Sequence, residues 1–94
     1  MSGLKQKVQS LIGTLQDEDF NVRLNATLAL GEMGKDAVPG LIQALQDENL
    51  GVCRSSERAL RKIGTSEALK AVEEYQRNKA LIRYTRSTKR TRGI

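Results

Sequence analysis

The fold is decided by the stretch LIGTLQDE at residues 11–18, which returns thirty residues further along the chain as LIQALQDE at residues 41–48. When residues 11–40 are placed over residues 41–70, ten of the thirty positions are identical, whereas ordinary composition would give about two by chance. Most of the identical positions are apolar or belong to the acidic end of the quoted stretch. The sequence is therefore organised by an internal repeat of thirty residues.

Apolar residues within each unit recur every three or four positions, a spacing that predicts helices with one buried face. A first stripe runs through residues 8–15 and returns at residues 38–45, and a second runs through residues 22–33 and returns at residues 52–63. The pattern predicts five helices, at about residues 4–15, 20–33, 37–46, 50–63 and 67–77.

Short polar and glycine residues mark the expected helix ends. The candidate N-terminal caps are Asp17 or Asp19, Asp36, Asp47 or Asn49, and Ser66. We expect Gly34 and Gly64 to end their helices in the left-handed conformation. The acidic loops lack the ligand spacing of an EF-hand. Capping accounts for them, so we expect no metal site.

Charge divides the chain into a near-neutral part and a basic end. Residues 1–74 contain nine basic and eleven acidic side chains, whereas residues 75–94 contain seven basic and no acidic ones. We therefore expect a repeat domain at residues 1–76 and a basic tail at residues 77–94, a pattern typical of a folded module with an electrostatic docking segment. The tail could instead be merely solvated, add a last helix, or order only on a partner. The candidate anchoring residues are Arg77, Lys79, Arg83, Tyr84, Arg86, Lys89, Arg90 and Arg92.

The run from Leu30 to Glu48, LGEMGKDAVPGLIQALQDE, resembles the short HEAT-like repeats of the phycobilisome-lyase type. The run from Ile63 to Tyr75 is similar to the closing helix of such an array. The resemblance covers about residues 4–76. The repeats are similar in character to those common in cyanobacteria. It implies an all-α fold, a short HEAT-like α-solenoid of about two and a half helical hairpins with a basic C-terminal extension.

The resemblance also implies that the second helix of each hairpin lines a concave face. On a helical wheel, apolar side chains of the first repeat and arginines of the second point away from the buried stripe. An apolar patch beside a basic one has the composition of an interaction surface. The alternative is that the leucines cover the first helix or an unfinished end of the solenoid. The candidate partner-binding residues are Phe20, Leu24, Leu28, Arg54, Arg58 and Arg61.

Besides this surface, the equivalent positions Arg23 and Cys53 in the two second helices are informative about how each repeat holds its loop. In the family, an Asp in the loop and an Arg after the Val commonly form a ladder, and the first repeat carries them as Asp17 and Arg23. The second repeat keeps Asp47 but has Cys53 in place of the arginine. We expect Arg23 to satisfy loop groups and Cys53 to be a small buried residue. The alternative for Cys53 is a bilin or redox role.

The amino-acid composition limits the classes of function that we expect. The chain has one Cys and no His, so it lacks the commonest general base and any internal disulfide, and we expect a reduced, cytoplasmic protein. No nucleophile–base pair or phosphate-binding glycine loop is recognisable. We expect a non-enzymatic adaptor or assembly factor without a cofactor, with a phycobilisome or photosynthetic complex as the first candidate partner and self-association possible. The alternatives are a nucleic-acid- or ribosome-associated protein acting through the tail, and a bilin lyase or chaperone-like fragment.

Overall fold

Five α-helices account for most of the chain. The computed structural model describes the backbone of residues 2–92 and the side chains of residues 3–79. The helices are α1 (Ser2–Thr14), α2 (Phe20–Met33), α3 (Val38–Ala44), α4 (Leu50–Ile63) and α5 (Ser66–Arg92). The predicted all-α class is confirmed, and the bounds of α2 and α4 are those expected from the apolar stripes.

The helices pair into two hairpins and a half. Helices α1 and α2 form the first hairpin, α3 and α4 form the second, and α5 stands where the first helix of a third would begin. Helix α2 packs against α4, while α1 packs against α3 and α3 packs against α5. First helices thus adjoin first helices and second helices adjoin second helices. This arrangement is the predicted short solenoid.

The same repeat positions are buried in both hairpins. Leu15 and Leu45 are buried at the ends of the first helices, and Leu30 and Leu60 are fully buried in the second helices. Burying a leucine completely contributes about 1.5–3 kcal/mol relative to leaving it exposed. Because each repeat places these residues against its neighbour, the core is continuous along the array.

A glycine allows the first helices to approach closely. A Cβ atom added at Gly40 in α3 would lie 3.0 Å from Cδ1 of Ile12 and 3.1 Å from Cγ1 of Val8, both on α1. Such contacts are shorter than ordinary carbon–carbon packing distances. A side chain at residue 40 would therefore require Val8 and Ile12 to give way by a few tenths of an ångström.

Three of the predicted helix ends are wrong in detail. Asp36 does not cap α3, because a 3-10 turn at Gly34–Ala37 leads directly into that helix, whose N-cap is Ala37. Thr65 rather than Ser66 caps α5, since its hydroxyl accepts the N–H of Ala68 at 3.1 Å. Gly64 has the expected left-handed conformation, with φ 69° and ψ 10°, whereas Gly34 combines φ 71° with ψ −142°. That conformation redirects the chain into the 3-10 turn.

Helix α5 runs well beyond the predicted end at residue 77, because the residues that turn the chain in the first two repeats are missing from the third. The Oδ1 atom of Asp17 accepts the N–H of Asp19 at 2.8 Å, and Oδ1 of Asp47 accepts the N–H of Asn49 at 2.8 Å. The equivalent third-repeat position is Arg77, which has no acceptor oxygen to offer. The helix therefore continues through the expected boundary at 76/77 to Arg92, over a length of about 40 Å.

One buried polar group of α4 does not fit the otherwise apolar core. Ser56 is fully buried, and its hydroxyl has no hydrogen-bond partner among the residues that the structure describes. The first repeat has the buried Ala26 at the equivalent position. A buried hydroxyl without a partner costs about 1–3 kcal/mol. Ser56 therefore destabilises the fold locally.

We expect the substitution Ser56→Ala to raise the free energy of unfolding by about 1 kcal/mol, because it removes an unpaired buried hydroxyl. Urea unfolding followed by far-UV circular dichroism would measure the change. The matched control is Ser55→Ala, at the neighbouring half-buried position, which gains the helix propensity of alanine alone. Equal gains in the two variants would contradict the prediction.

Candidate functional site

The starts of α2 and α4 are fixed by the side chains that precede them. The Oδ1 atom of Asp19 accepts the N–H of Asn21 at 2.8 Å, and Oδ1 of Asn49 accepts the N–H of Gly51 at 2.8 Å. These bonds satisfy N–H groups that have no partner inside the helix. Of the alternatives left open by the sequence, Asp19 and Asn49 are thus the caps. Both second helices consequently begin at the same repeat position.

A groove of about 340 Å³ lies between α2 and α4. Phe20 and Leu50 stand at the first positions of the two helices, and each is 60% exposed. Arg54 and Arg58 follow Leu50 at intervals of one helical turn. The groove therefore has an apolar end, where the two helices begin, and a basic side further along α4. Its lining residues are Phe20, Arg23, Leu24, Thr27, Leu50, Gly51, Arg54, Ser55 and Arg58.

Four of the six predicted partner-binding residues come together in this groove, namely Phe20, Leu24, Arg54 and Arg58. Leu24 is half-buried there. The apolar and basic patches expected side by side thus share one concavity.

The other two predicted residues lie outside the groove lining. Leu28 is exposed on α2, and Arg61 lines a shallower hollow along α4 with Arg54, Glu57 and Arg58. The guanidinium of Arg61 is 2.8 Å from a carboxylate oxygen of Glu57. Its charge is therefore balanced within the chain, whereas the arginines of the groove form no ion pair among residues 3–79.

Sequence reasoning missed Leu50, which forms half of the apolar end of the groove. The thirty-residue repeat aligns Leu50 with Phe20, and both precede the buried stripe of a second helix by two positions. That alignment was the available signal, because two exposed apolar residues at one repeat position are unusual on a polar surface.

Arg23 supports the loop of the first repeat. Its guanidinium donates to the backbone carbonyl of Asp17 at 2.7 Å and to that of Glu18 at 3.0 Å. It also lies 5.8 Å from the centre of the Phe20 ring, within reach of a cation–π contact. The predicted structural role is confirmed, with carbonyl groups rather than the Asp17 carboxylate as acceptors.

Cys53 occupies the position of this arginine in the second repeat. Its shorter side chain also donates to a backbone carbonyl of the preceding loop. Its thiol donates to the backbone carbonyl of Asp47 at 2.9 Å and lies 3.4 Å from that of Leu45. Cys53 is buried. The expectation of a small buried residue at this position is confirmed, and the thiol serves the loop of the second repeat.

A small cluster joins α4 to α5. Glu57 accepts hydrogen bonds from Arg61 and from the side-chain amide of Gln76. Burial, together with the neighbouring Cys53 thiol, raises the pKa of Tyr75 above its ordinary value. The ammonium of Lys79 lies 5.7 Å from the centre of the Tyr75 ring. The contacts of Gln76 with Glu57 and of Tyr75 with Cys53 hold this part of α5 against α4.

The predicted tail anchors fall on α5, in agreement with the alternative that the tail adds helix to the array. Arg77 is exposed, and Lys79 is half-buried beside Tyr75. The backbone of the remaining anchors belongs to the helix as far as Arg92. The anchors whose side chains lie outside the described residues are Arg83, Tyr84, Arg86, Lys89, Arg90 and Arg92.

Neither a metal-binding cluster nor a membrane-spanning helix is found in the part of the chain that the structure describes. Within residues 3–79, no three His, Cys, Asp or Glu side chains are grouped closely enough to hold a metal ion. No helix in the described part of the chain combines the length and the apolar character needed to cross a bilayer. The acidic loop residues Asp17 and Asp47 are used to turn the backbone.

We expect Arg23→Met to lower the free energy of unfolding by about 1–2 kcal/mol, because two loop carbonyls lose a charged donor. The matched control is Arg54→Met, which removes a guanidinium from the same groove. Arg54 is exposed and has no ion-pair partner among the described residues, so the control should change stability by less than about 0.5 kcal/mol. Thermal and urea unfolding would compare them, and similar losses in both variants would contradict a structural role for Arg23.

Comparison with known proteins agrees with this architecture. The chain matches the family described as HEAT repeats over residues 8–87, which takes in the second half of α1, all of α2, α3 and α4, and most of α5. No curated protein and no solved structure matches the chain. The family match covers more than half of the 94 residues. The HEAT-like resemblance of the sequence is confirmed, and the chain belongs to the HEAT repeat family.

Proposed function

We propose that this chain is a non-enzymatic adaptor or assembly factor that binds a partner protein in the groove between α2 and α4. The observation that carries the proposal is the pair of apolar side chains at its end, Phe20 and Leu50, each 60% exposed. HEAT repeats serve protein–protein interaction in general, and an apolar patch bordered by arginine is typical of interface centres.

The energetics favour a partner that covers this end of the groove. Burying an exposed phenylalanine or leucine side chain completely is worth about 1.5–3 kcal/mol. The groove is shaped by backbone caps and by packed helices, so little ordering is required when a partner arrives. A short solenoid also gains stability when another surface covers it, because its repeats bury their core only against neighbours.

The repeat type suggests where a partner should first be sought. The resemblance of residues 30–48 and 63–75 to phycobilisome-lyase repeats supports a photosynthetic antenna complex as the first candidate. The single free cysteine is compatible with a reduced cytoplasmic setting. A fragment of a bilin lyase or a related chaperone is a weaker candidate, since the thiol of Cys53 is buried and donates to backbone carbonyls.

A second function is favoured by the course of α5. The helix continues to Arg92, and residues 80–94 contain five basic and no acidic side chains. Such a segment can bind nucleic acid through phosphate contacts, with affinity that falls steeply as salt rises. The protein would then be associated with RNA, DNA or the ribosome, and the repeats would carry the basic helix.

The adaptor proposal predicts that Phe20→Asp combined with Leu50→Asp removes partner proteins from a native co-purification. Aspartate is tolerated at a helix start because the positive end of the helix dipole stabilises its negative charge. The helical content should therefore be unchanged. The matched control combines Leu4→Asp and Leu69→Asp, which alter two other exposed leucines. Proteins retained by the control and lost from the groove variant would support the proposal. Retention of the same proteins by both variants would refute it.

The nucleic-acid alternative is tested by replacing the five basic side chains of residues 80–94 with glutamine, which preserves helix propensity. Residues up to Lys79 keep their contacts with Tyr75 and Glu57. If the adaptor proposal is right, partner recovery should survive nuclease treatment. Recovery that disappears with nuclease and with the glutamine variant would favour nucleic-acid association instead.

A further inference from the structure

We infer that the partner segment held in the groove is an acidic peptide, with one apolar side chain seated between Phe20 and Leu50 and carboxylates paired with Arg54 and Arg58. This inference rests on the proposed function and names the chemistry of the partner. It concerns a short stretch of another protein rather than a nucleic acid.

The charged residues that line the groove are all arginines. Arg54 and Arg58 are exposed, and among residues 3–79 the ion pair formed within the chain is that of Arg61 with Glu57. No acidic side chain is found among the described residues that line the groove. Two arginines therefore lie free beside an apolar pocket, and a carboxylate can form a charge-assisted, bidentate bond with each.

Arg54 and Arg58 differ from Arg23, which also lines the groove, in the hydrogen bonds that they make within the chain. The guanidinium of Arg23 already donates to two loop carbonyls and lies over the Phe20 ring. It therefore shapes the apolar end and has fewer donors left for a ligand. Recognition of an anion falls to the two arginines of α4.

The spacing along α4 specifies the order of groups in the peptide. Leu50, Arg54 and Arg58 are separated by four residues each, which is a rise of about 6 Å per step. In an extended peptide, side chains on one face recur about every 6.6 Å. An apolar residue followed by carboxylates two and four positions later therefore matches the apolar end and both arginines in turn.

The surroundings of the groove disfavour a nucleic acid. Residues 1–74 carry eleven acidic against nine basic side chains, so a polyanion longer than the groove would find no excess of positive charge on the rest of this part of the chain. The acidic loops at residues 17–19 and 47–48 directly precede the helices that begin at Phe20 and Leu50. A phosphate backbone that continued past the apolar end would meet these carboxylates, whereas a short peptide whose apolar residue lies there would not.

The test measures binding of a fluorescein-labelled peptide of twelve residues to the full chain by fluorescence anisotropy. The peptide contains one leucine, with aspartates two and four positions later, in a serine background. We expect the Arg54→Glu and Arg58→Glu double variant to weaken its binding at least about tenfold. The matched control is Lys35→Glu with Lys70→Glu, which makes the same change in net charge at exposed positions outside the groove and should leave the affinity within about twofold.

A second peptide with asparagine in place of both aspartates should bind at least about tenfold more weakly than the first. Equal binding of the two peptides would overturn the inference, and so would the absence of any binding tighter than about 1 mM. A single-stranded RNA of twelve nucleotides provides the other arm. RNA binding that is lost in the groove double variant, without peptide binding, would overturn the inference in favour of nucleic acid.

The outcome is separable from the proposed function. If native partners are lost on Phe20→Asp with Leu50→Asp but not on Arg54→Glu with Arg58→Glu, the adaptor role stands and the acidic chemistry is wrong. If native partners are retained by the Phe20 and Leu50 variant, the proposed function itself fails, whatever the peptides do.

Discussion

The architecture depends on one local hydrogen bond, in which an aspartate side chain accepts a backbone N–H two residues further on. Asp17 and Asp47 make this bond at equivalent places, and each turns the chain so that a second helix can fold back against the first. Without that reversal the apolar stripes of a repeat would lie on one long rod with nothing to cover them. The third repeat has Arg77 at this position, and there the chain does continue as a rod.

The same turns determine the groove. Each reversal is followed by a cap, Asp19 or Asn49, so the second helices begin in register and present Phe20 and Leu50 side by side. The two repeats then diverge in how they hold the loop. An arginine does so in the first, and a cysteine does so in the second. The groove therefore combines a repeated apolar end with Arg54 and Arg58, whose equivalents in the first repeat are the leucines Leu24 and Leu28.

The sequence predicted the helical class, the repeat and the bounds of α2 and α4, because leucine and alanine recur at helical spacing in both units. It also brought Phe20 and Arg54 to one surface. It did not predict that α5 passes residue 77, since that outcome depends on a missing acceptor rather than on a residue that is present. Leu50 was overlooked because an isolated exposed leucine is ordinary. It indicates a binding surface only together with Phe20, the equivalent residue of the first repeat on the other side of the groove. The salt bridge that occupies Arg61 has the i,i+4 spacing of an ion pair within one helix, a signal that the sequence analysis did not use.

The continuity of α5 has a geometric consequence. Since each helical residue advances about 1.5 Å and turns about 100°, the basic residues near Arg92 keep a fixed distance and a fixed angular phase relative to the groove. Inserting one residue after Lys79 would swing everything beyond it by more than a quarter of a turn. Inserting seven, close to two full turns, would nearly restore the phase while moving the end outward by about 10 Å. The length of α5 and its angular phase are therefore fixed together. A partner that contacts both the groove and the basic end of α5 has to match both.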